Sequence, residues 1–173
     1  REEFSEPPGF MVIDPFEYFP SQFDATCENL SNHGIDHGVV QFHKTTSSQA
    51  FRETLSAPPA LDFILIDGNH KVRHVTEDLR WTRYLNTKGL VCVHDYSPAQ
   101  LGVLLSVDRF LAKNPNYRKV AQEGSLLIME KCEGSLTEEI TFSDNLWACL
   151  LSPWLQLRLS FKKRLKRLGL LKN

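Results

Sequence analysis

The sequence predicts an α/β domain on a mostly parallel sheet that closes with an antiparallel hairpin. Three observations carry this reading. Within strands at 61–66 and 90–93, residues 63–66 and 90–93 are short unbroken apolar runs, the pattern of strands covered on both faces. Each runs straight into a polar cluster, Asp67-Gly68-Asn69-His70 after the first and His94-Asp95-Tyr96 after the second. Between them, residues 72–85 place Val72, Val75, Leu79 and Tyr84-Leu85 at helical spacing. Strand, helix, strand is the parallel crossover unit, right-handed almost without exception.

The remaining elements follow in order. Phe10-Met11-Val12-Ile13-Asp14-Pro15-Phe16 is another buried-type strand ending in an acid, and Phe23, Cys27 and Leu30 space a helix that His33-Gly34 stops. Val39-Val40-Gln41-Phe42-His43 is a further strand, after which the hydroxyl-rich stretch 45–48 caps a helix through Leu55. The helix at 72–85 is expected to end at Lys88-Gly89, glycine relieving the cost of a left-handed cap. Residues 104–112 make the next helix, and 117–120 with 125–131 make the hairpin.

Open α/β sheets bind ligands just outside the carboxyl ends of their strands. Two neighbouring strands that both end in an acid and a histidine therefore form one side of an active site. Asp67, His70 and Asp95 are expected to converge at a common rim.

The residues of this stretch resemble a known family. An apolar strand, Asp-Gly-x-His (Asp67, Gly68, His70), an aspartate eight residues on (Asp78), Leu-x-x-x-Gly-Leu (Leu85, Gly89) and apolar-His-Asp-Tyr (His94, Asp95, Tyr96) are similar to the class I S-adenosylmethionine-dependent methyltransferases. The likeness is to the branch containing natural-product sugar O-methyltransferases and cephalosporin-hydroxylase-like proteins, and it extends in layout over residues 9–131. It implies a Rossmann-like sheet, S-adenosylmethionine as cofactor and O-methylation of a small hydroxylated substrate, such as a sugar. It also implies that Asp14 holds the cofactor ribose, that Ser47 contacts the adenine, and that Asp67 belongs to the cofactor site.

One part of the family pattern is missing. No acid-x-Gly-x-Gly segment occurs in the sequence, so the first strand, which lies centrally in that fold, and its glycine loop are not accounted for. The chain is expected to be a piece of a longer polypeptide, a trimmed chain, or one that completes its sheet with a partner strand. The alternative is a catalytically degenerate methyltransferase-like domain acting as an interaction or membrane-surface module.

Methyl transfer to a hydroxyl needs an in-line approach and removal of the hydroxyl proton, where a positioned base contributes about 10²- to 10⁴-fold. Imidazole titrates nearest neutrality, which makes His70 the first candidate base and His94 a second. Asp67 and Asp95 are candidate ligands for Mg²⁺, a hard ion that prefers carboxylate oxygen and would activate and orient a bound hydroxyl. His70 and His74 have the i, i+4 spacing of zinc sites, but no glutamate follows His70 and no third ligand is evident. Gly68-Asn69-His70 also matches one element of metallophosphoesterases, whose other metal-binding motifs are absent.

Composition sets the outer bounds. With 173 residues, 42% hydrophobic and 24% charged, the chain is long enough to bury a core and ordinary for a globular domain. Its four cysteines (Cys27, Cys92, Cys132, Cys149) have neither pairing nor zinc spacing, which gives reduced thiols and a cytoplasmic setting as the default. The net charge of −1 hides an asymmetry. From Trp154 onward there are seven basic residues and no acid, leaving −8 on the rest. Trp154, Leu157, Phe161, Leu165 and Leu168 space a basic amphipathic helix. The organisation expected is a methyltransferase-like domain at 1–133, a linker at 134–145 and a helical tail at 146–173. The tail can pack on the acidic body, form a homo-oligomer contact or lie on an anionic membrane surface. Nucleic acid is disfavoured by sparse aromatic interleaving.

Overall fold

The computed structural model describes residues 9–133 and 140–167, with side chains in the last helix up to 158 and at 160, 161 and 164. The chain divides between Ala57 and Pro58 into two compact units.

The first unit is a small parallel crossover: β1 (Phe10–Ile13), α1 (Gln22–Asn32), β2 (Val40–His43) and α2 (Ser47–Glu53). β1 and β2 pair from Phe10 opposite Val40 to Ile13 opposite His43. α1 ends where the sequence places its stop. Gly34 takes a left-handed φ of 73°, and the next amide, Ile35 N–H, donates back to Leu30 O at 2.9 Å. Phe16, Phe23 and Phe42 meet edge to face with centroids 5.1 to 6.0 Å apart, the favoured geometry for ring quadrupoles.

The second unit holds β3 (Leu61–Ile66), α3 (Val72–Asp78), β4 (Leu85–Val93), α4 (Leu101–Lys113), β5 (Tyr117–Glu123), β6 (Leu126–Lys131) and α5 (Phe142–Arg167). Its sheet runs β3-β4-β6-β5. β3 and β4 are parallel, while β6 is antiparallel to both β4 and β5. Ile66, Val91, Val93, Leu127 and Met129 from the strands pack with Val75, Leu79, Val103, Val107 and Phe110 from the helices.

The structure departs from the sequence reading in three places. First, the helix after β3 is only two turns long, and Leu79–Tyr84 continues as 3₁₀. The Thr82 hydroxyl donates to Leu79 O at 2.7 Å, a side-chain bond that competes with regular helix. β4 then begins at Leu85 rather than residue 90. The left-handed residue is Lys88, with φ 67°. Gly89 serves another need, since a Cβ there would fall 2.7 Å from Leu85 Cδ1 and 2.8 Å from Asn86 O. Second, β3 is covered on one face, not two: Ile66 is buried, whereas Phe63 and Leu65 are 56% and 59% exposed, while in β4 the consecutive Val91, Cys92 and Val93 are all buried. Third, α5 starts at Phe142, inside the segment expected as a linker, whose residues 134–139 lie outside the described ones.

That early start has a cause. Asp144 caps the start of the helix from one side: its Oδ2 accepts the Thr141 amide at 3.0 Å and the Thr141 hydroxyl at 2.7 Å. The same carboxylate, nearly fully buried, accepts from Arg109 at 2.8 Å and Lys113 at 2.5 Å on α4. Ala148 and Leu155 of α5 then pack against Val72, Leu101 and Leu105, and the Arg109 guanidinium lies 4.7 Å over the Trp147 ring.

Burial would raise the Asp144 pKa, but the hydrogen bonds from Lys113, Thr141 and Arg109 outweigh it and hold the carboxyl at about 2. A depressed carboxyl pKa stabilises the fold fully above its unfolded value and loses that contribution as pH falls through the folded one. Asp144→Asn is therefore expected to lower the unfolding free energy by about 2 kcal/mol at neutral pH. Denaturant titrations at stepped pH should show the gap between the two proteins closing as pH approaches about 2. A gap that does not change with pH would contradict the assignment.

Candidate active site

Register places the site. Ile66 of β3 lies opposite Val93 of β4, so Asp67 and His94 leave the sheet at the same level. The His94 amide donates to Ile66 O at 2.9 Å, carrying the ladder one residue further. Asp95 then adopts a left-handed φ of 57°, a conformation that aspartate tolerates better than most residues. The turn is held from the other side by the Tyr96 amide, which donates to Ser125 O at 2.8 Å in the β5–β6 turn. Tyr96 itself is buried. Its hydroxyl donates to Asp108 Oδ1 at 2.6 Å and accepts from Lys119. Burial, then the bond to Asp108, pushes its pKa up, so the phenol stays protonated and keeps donating.

The β3 side is shaped by three small residues. Asn69 Oδ1 accepts the Lys71 amide at 3.0 Å, a side-chain turn that starts α3. Gly68 lies against the Asp78 carboxylate, 3.2 Å from where a Cβ would stand. Gly102, in the first turn of α4, touches the backbone of the loop. A Cβ there would overlap His70 O and stand 3.0 Å from the Val72 amide nitrogen. The Ser106 hydroxyl, one turn on, donates to Val72 O at 3.2 Å. α4 is thus seated directly on the chain that carries His70.

The four polar side chains form one connected line. Asp67 Oδ1 lies 3.0 Å from His94 Nδ1, and His94 Nδ1 lies 3.7 Å from Asp95 Oδ1. Asp95 Oδ2 lies 3.2 Å from His70 Nε2. Asp95 so lies closer to His70 than to His94, and all four side chains are partly open to solvent. Beneath them is a recess of about 190 Å³ lined by Asp67, Asn69, His70 and His94 with Ile66 and Val103 at its base.

The expected convergence of Asp67, His70, His94 and Asp95 is therefore what the second unit contains. Asp14 and Ser47 belong to the first unit. Asp14, just after β1, accepts the Phe16 amide at 2.5 Å. Ser47 is the first residue of α2, behind the Thr46 cap that accepts from Gln49 N–H at 3.3 Å. The expected metal ligands are otherwise occupied: Asp67 and Asp95 are both turned onto histidines. Among the described residues there is no group of three or more His, Cys, Asp or Glu that could hold a metal. His74 lies 3.8 Å from Glu77 rather than completing a zinc set with His70.

Two carboxylate–imidazole pairs lie at ion-pair distance. A carboxylate that accepts from one ring nitrogen fixes the tautomer and leaves the other nitrogen as the base. For His94 the nitrogen nearest a carboxylate is Nδ1, and Nε2 is at the far end of the ring. For His70 it is Nε2, and Nδ1 is beside its own backbone. Sequence reasoning ranked His70 first and His94 second, and the ring nitrogen that each carboxylate approaches cannot be read from spacing. It also passed over Gly102, whose only signal is a glycine in the first turn of an otherwise apolar helix.

A family model for the methyltransferase domain matches residues 8–96, just over half of the chain. The match runs through both units and ends at the His94-Asp95-Tyr96 cluster. No curated protein sequence matches. Solved structures do. CalS11, a TDP-rhamnose 3'-O-methyltransferase of calicheamicin biosynthesis, aligns with TM-score 0.56 and 14% identity over 69% of this chain and 56% of its own. A Corynebacterium glutamicum protein gives 0.56 and 12% over 72% and 61%. A candidate O-methyltransferase from Klebsiella pneumoniae gives 0.54 and 18% over 71% and 61%. The chain thus spans 56% to 61% of the length of these three structures, and at such identities the likeness is one of fold.

Gly102→Ala tests the seating of α4. The added methyl must displace the His70 carbonyl, and overpacking of this kind costs about 1–3 kcal/mol. Thermal unfolding is expected to show that loss. The imidazole NMR signals of His70 should shift, while those of His33 and His37 stay in place. Unmoved His70 signals in a destabilised protein would mean that the strain is relieved elsewhere.

Proposed function

This chain belongs to the methyltransferase-domain family, and on that basis we propose that it methylates a hydroxyl of a small molecule, with S-adenosylmethionine as donor and His94 as general base. The observation that carries the reading is the line Asp67–His94–Asp95–His70 at the ends of two adjacent parallel strands. A sugar hydroxyl is the acceptor class proposed, in line with the resemblance of residues 67–96.

The first unit carries two residues that suit the nucleoside part of the donor. Asp14 is a half-buried carboxylate just past a strand end. One of its oxygens is engaged by Phe16 N–H, and a carboxylate has room for about four hydrogen bonds, so the ribose hydroxyls can be held there. Ser47 is the proposed adenine contact. When bound, the donor supplies an electrophilic methyl group on a sulfonium.

In the reaction the acceptor oxygen forms the new C–O bond as the C–S bond breaks, and the hydroxyl proton passes to His94 Nε2. Asp67 stabilises the resulting imidazolium and holds the tautomer. Asp95 anchors the His70 ring, which keeps His70 beside the reacting oxygen as a positioning group. The arrangement of Asp67 and Asp95 does not fit a metal centre, and no step is routed through one.

The test is a transfer assay with labelled donor and nucleotide-sugar acceptors, run on the protein as its gene encodes it. His94→Ala is expected to lower kcat about 10²- to 10⁴-fold, with donor affinity by calorimetry unchanged. His70→Ala should cost less. Full turnover by His94→Ala would reject the assignment of the base. Absence of donor binding by the native protein would instead favour a non-catalytic module.

A further inference from the structure

We propose that α5 docks the protein on anionic lipid surfaces, lying along the bilayer rather than across it. The helix has two apolar stripes. One is used: Trp147, Ala148, Leu151 and Leu155 pack on α3 and α4. The other consists of Phe142, Leu146, Leu150, Trp154, Leu157 and Phe161, which are between 50% and 81% exposed. They recur every three or four residues, so they lie along one side of the helix. At 1.5 Å rise per residue the stripe is about 30 Å long.

Beyond Leu155 every described side chain of the helix is exposed, including Arg158 and Arg164. The packing that ties α5 to its unit ends there, while the helix continues to Arg167. This same end carries the charge. From Trp154 onward the sequence has seven basic residues and no acid. Aromatic and leucine side chains on one side of a helix, with arginine and lysine around them, are the chemistry of an interfacial helix. The rings and leucines enter the headgroup boundary and the cations meet lipid phosphates and carboxylates.

Charge decides among the occupants. A second copy would bring the same basic segment with it, and like charges repel along a shared contact. Nucleic acid would satisfy the charge but has no use for six exposed apolar side chains, and the stripe presents only Phe142, Trp154 and Phe161 as stacking platforms. An anionic bilayer satisfies both. No described helix is long and apolar enough to cross a membrane, which leaves the surface.

The experiment is co-sedimentation of the full chain with phosphatidylcholine vesicles, with or without phosphatidylserine, read alongside the tryptophan emission to which Trp154 contributes. Each basic residue near an anionic surface adds about 1 kcal/mol. Partitioning is therefore expected to be at least about tenfold stronger with phosphatidylserine, to weaken as salt is raised and to carry a blue shift in emission. Leu157→Glu with Phe161→Glu should abolish it, and Arg158→Gln with Arg164→Gln should weaken it, all without change in thermal unfolding. Equal or negligible partitioning on the two vesicle types would overturn the proposal. So would self-association that the glutamate variant disrupts while vesicle binding persists, or polyanion binding that the glutamate variant leaves intact.

Discussion

The parallel register between β3 and β4 is the constraint on which the site depends. With Ile66 opposite Val93, the two polar clusters leave the sheet at one height, and imidazole and carboxylate meet across the strand boundary. A slip of one residue would send the apolar side chains to the wrong face and separate the pairs. Register is in turn fixed by burial: Ile66, Val91 and Val93 must all face α3 and α4. The hydrophobic core and the meeting of the acid–histidine pairs therefore share one cause.

A second constraint acts on the loops. Each cluster is held from two directions: 94–96 by Ile66 O and Ser125 O, 68–72 by the Asn69 turn and the close approach of Gly102. Polar groups left to rotate freely at a sheet edge would spend little time in reacting geometry, and positioning is the largest lever available to methyl transfer. The left-handed backbone at Asp95 belongs to the same economy, since strain of this kind persists where the surroundings over-determine it.

Much of this was legible in the chain. Unbroken apolar runs ending in acid and histidine located β3, β4 and their rim, and the hairpin and α4 followed from the family resemblance. The start of β4 was not legible, because Leu85–Lys88 is mostly polar, Thr82 turns its hydroxyl back on Leu79 and competes with regular helix, and Lys88 takes a positive φ within the strand. The start of α5 was hidden because Asp144 reads as a solvated acid until Arg109 and Lys113, more than 30 positions earlier, are brought to it. Which ring nitrogen each carboxylate approaches was hidden too. These misses share a feature: the deciding partner is remote in sequence or is a backbone atom.

The central claim is that Asp67 holds His94 by Nδ1 and leaves Nε2 free to accept a proton. Long-range ¹H–¹⁵N correlation of the neutral imidazoles reads this directly. The account predicts the Nδ1–H tautomer for His94 and the Nε2–H tautomer for His70, with Asp67→Asn abolishing the preference at His94 alone. An Nε2–H tautomer at His94 in the native protein, or one indifferent to Asp67, would contradict it.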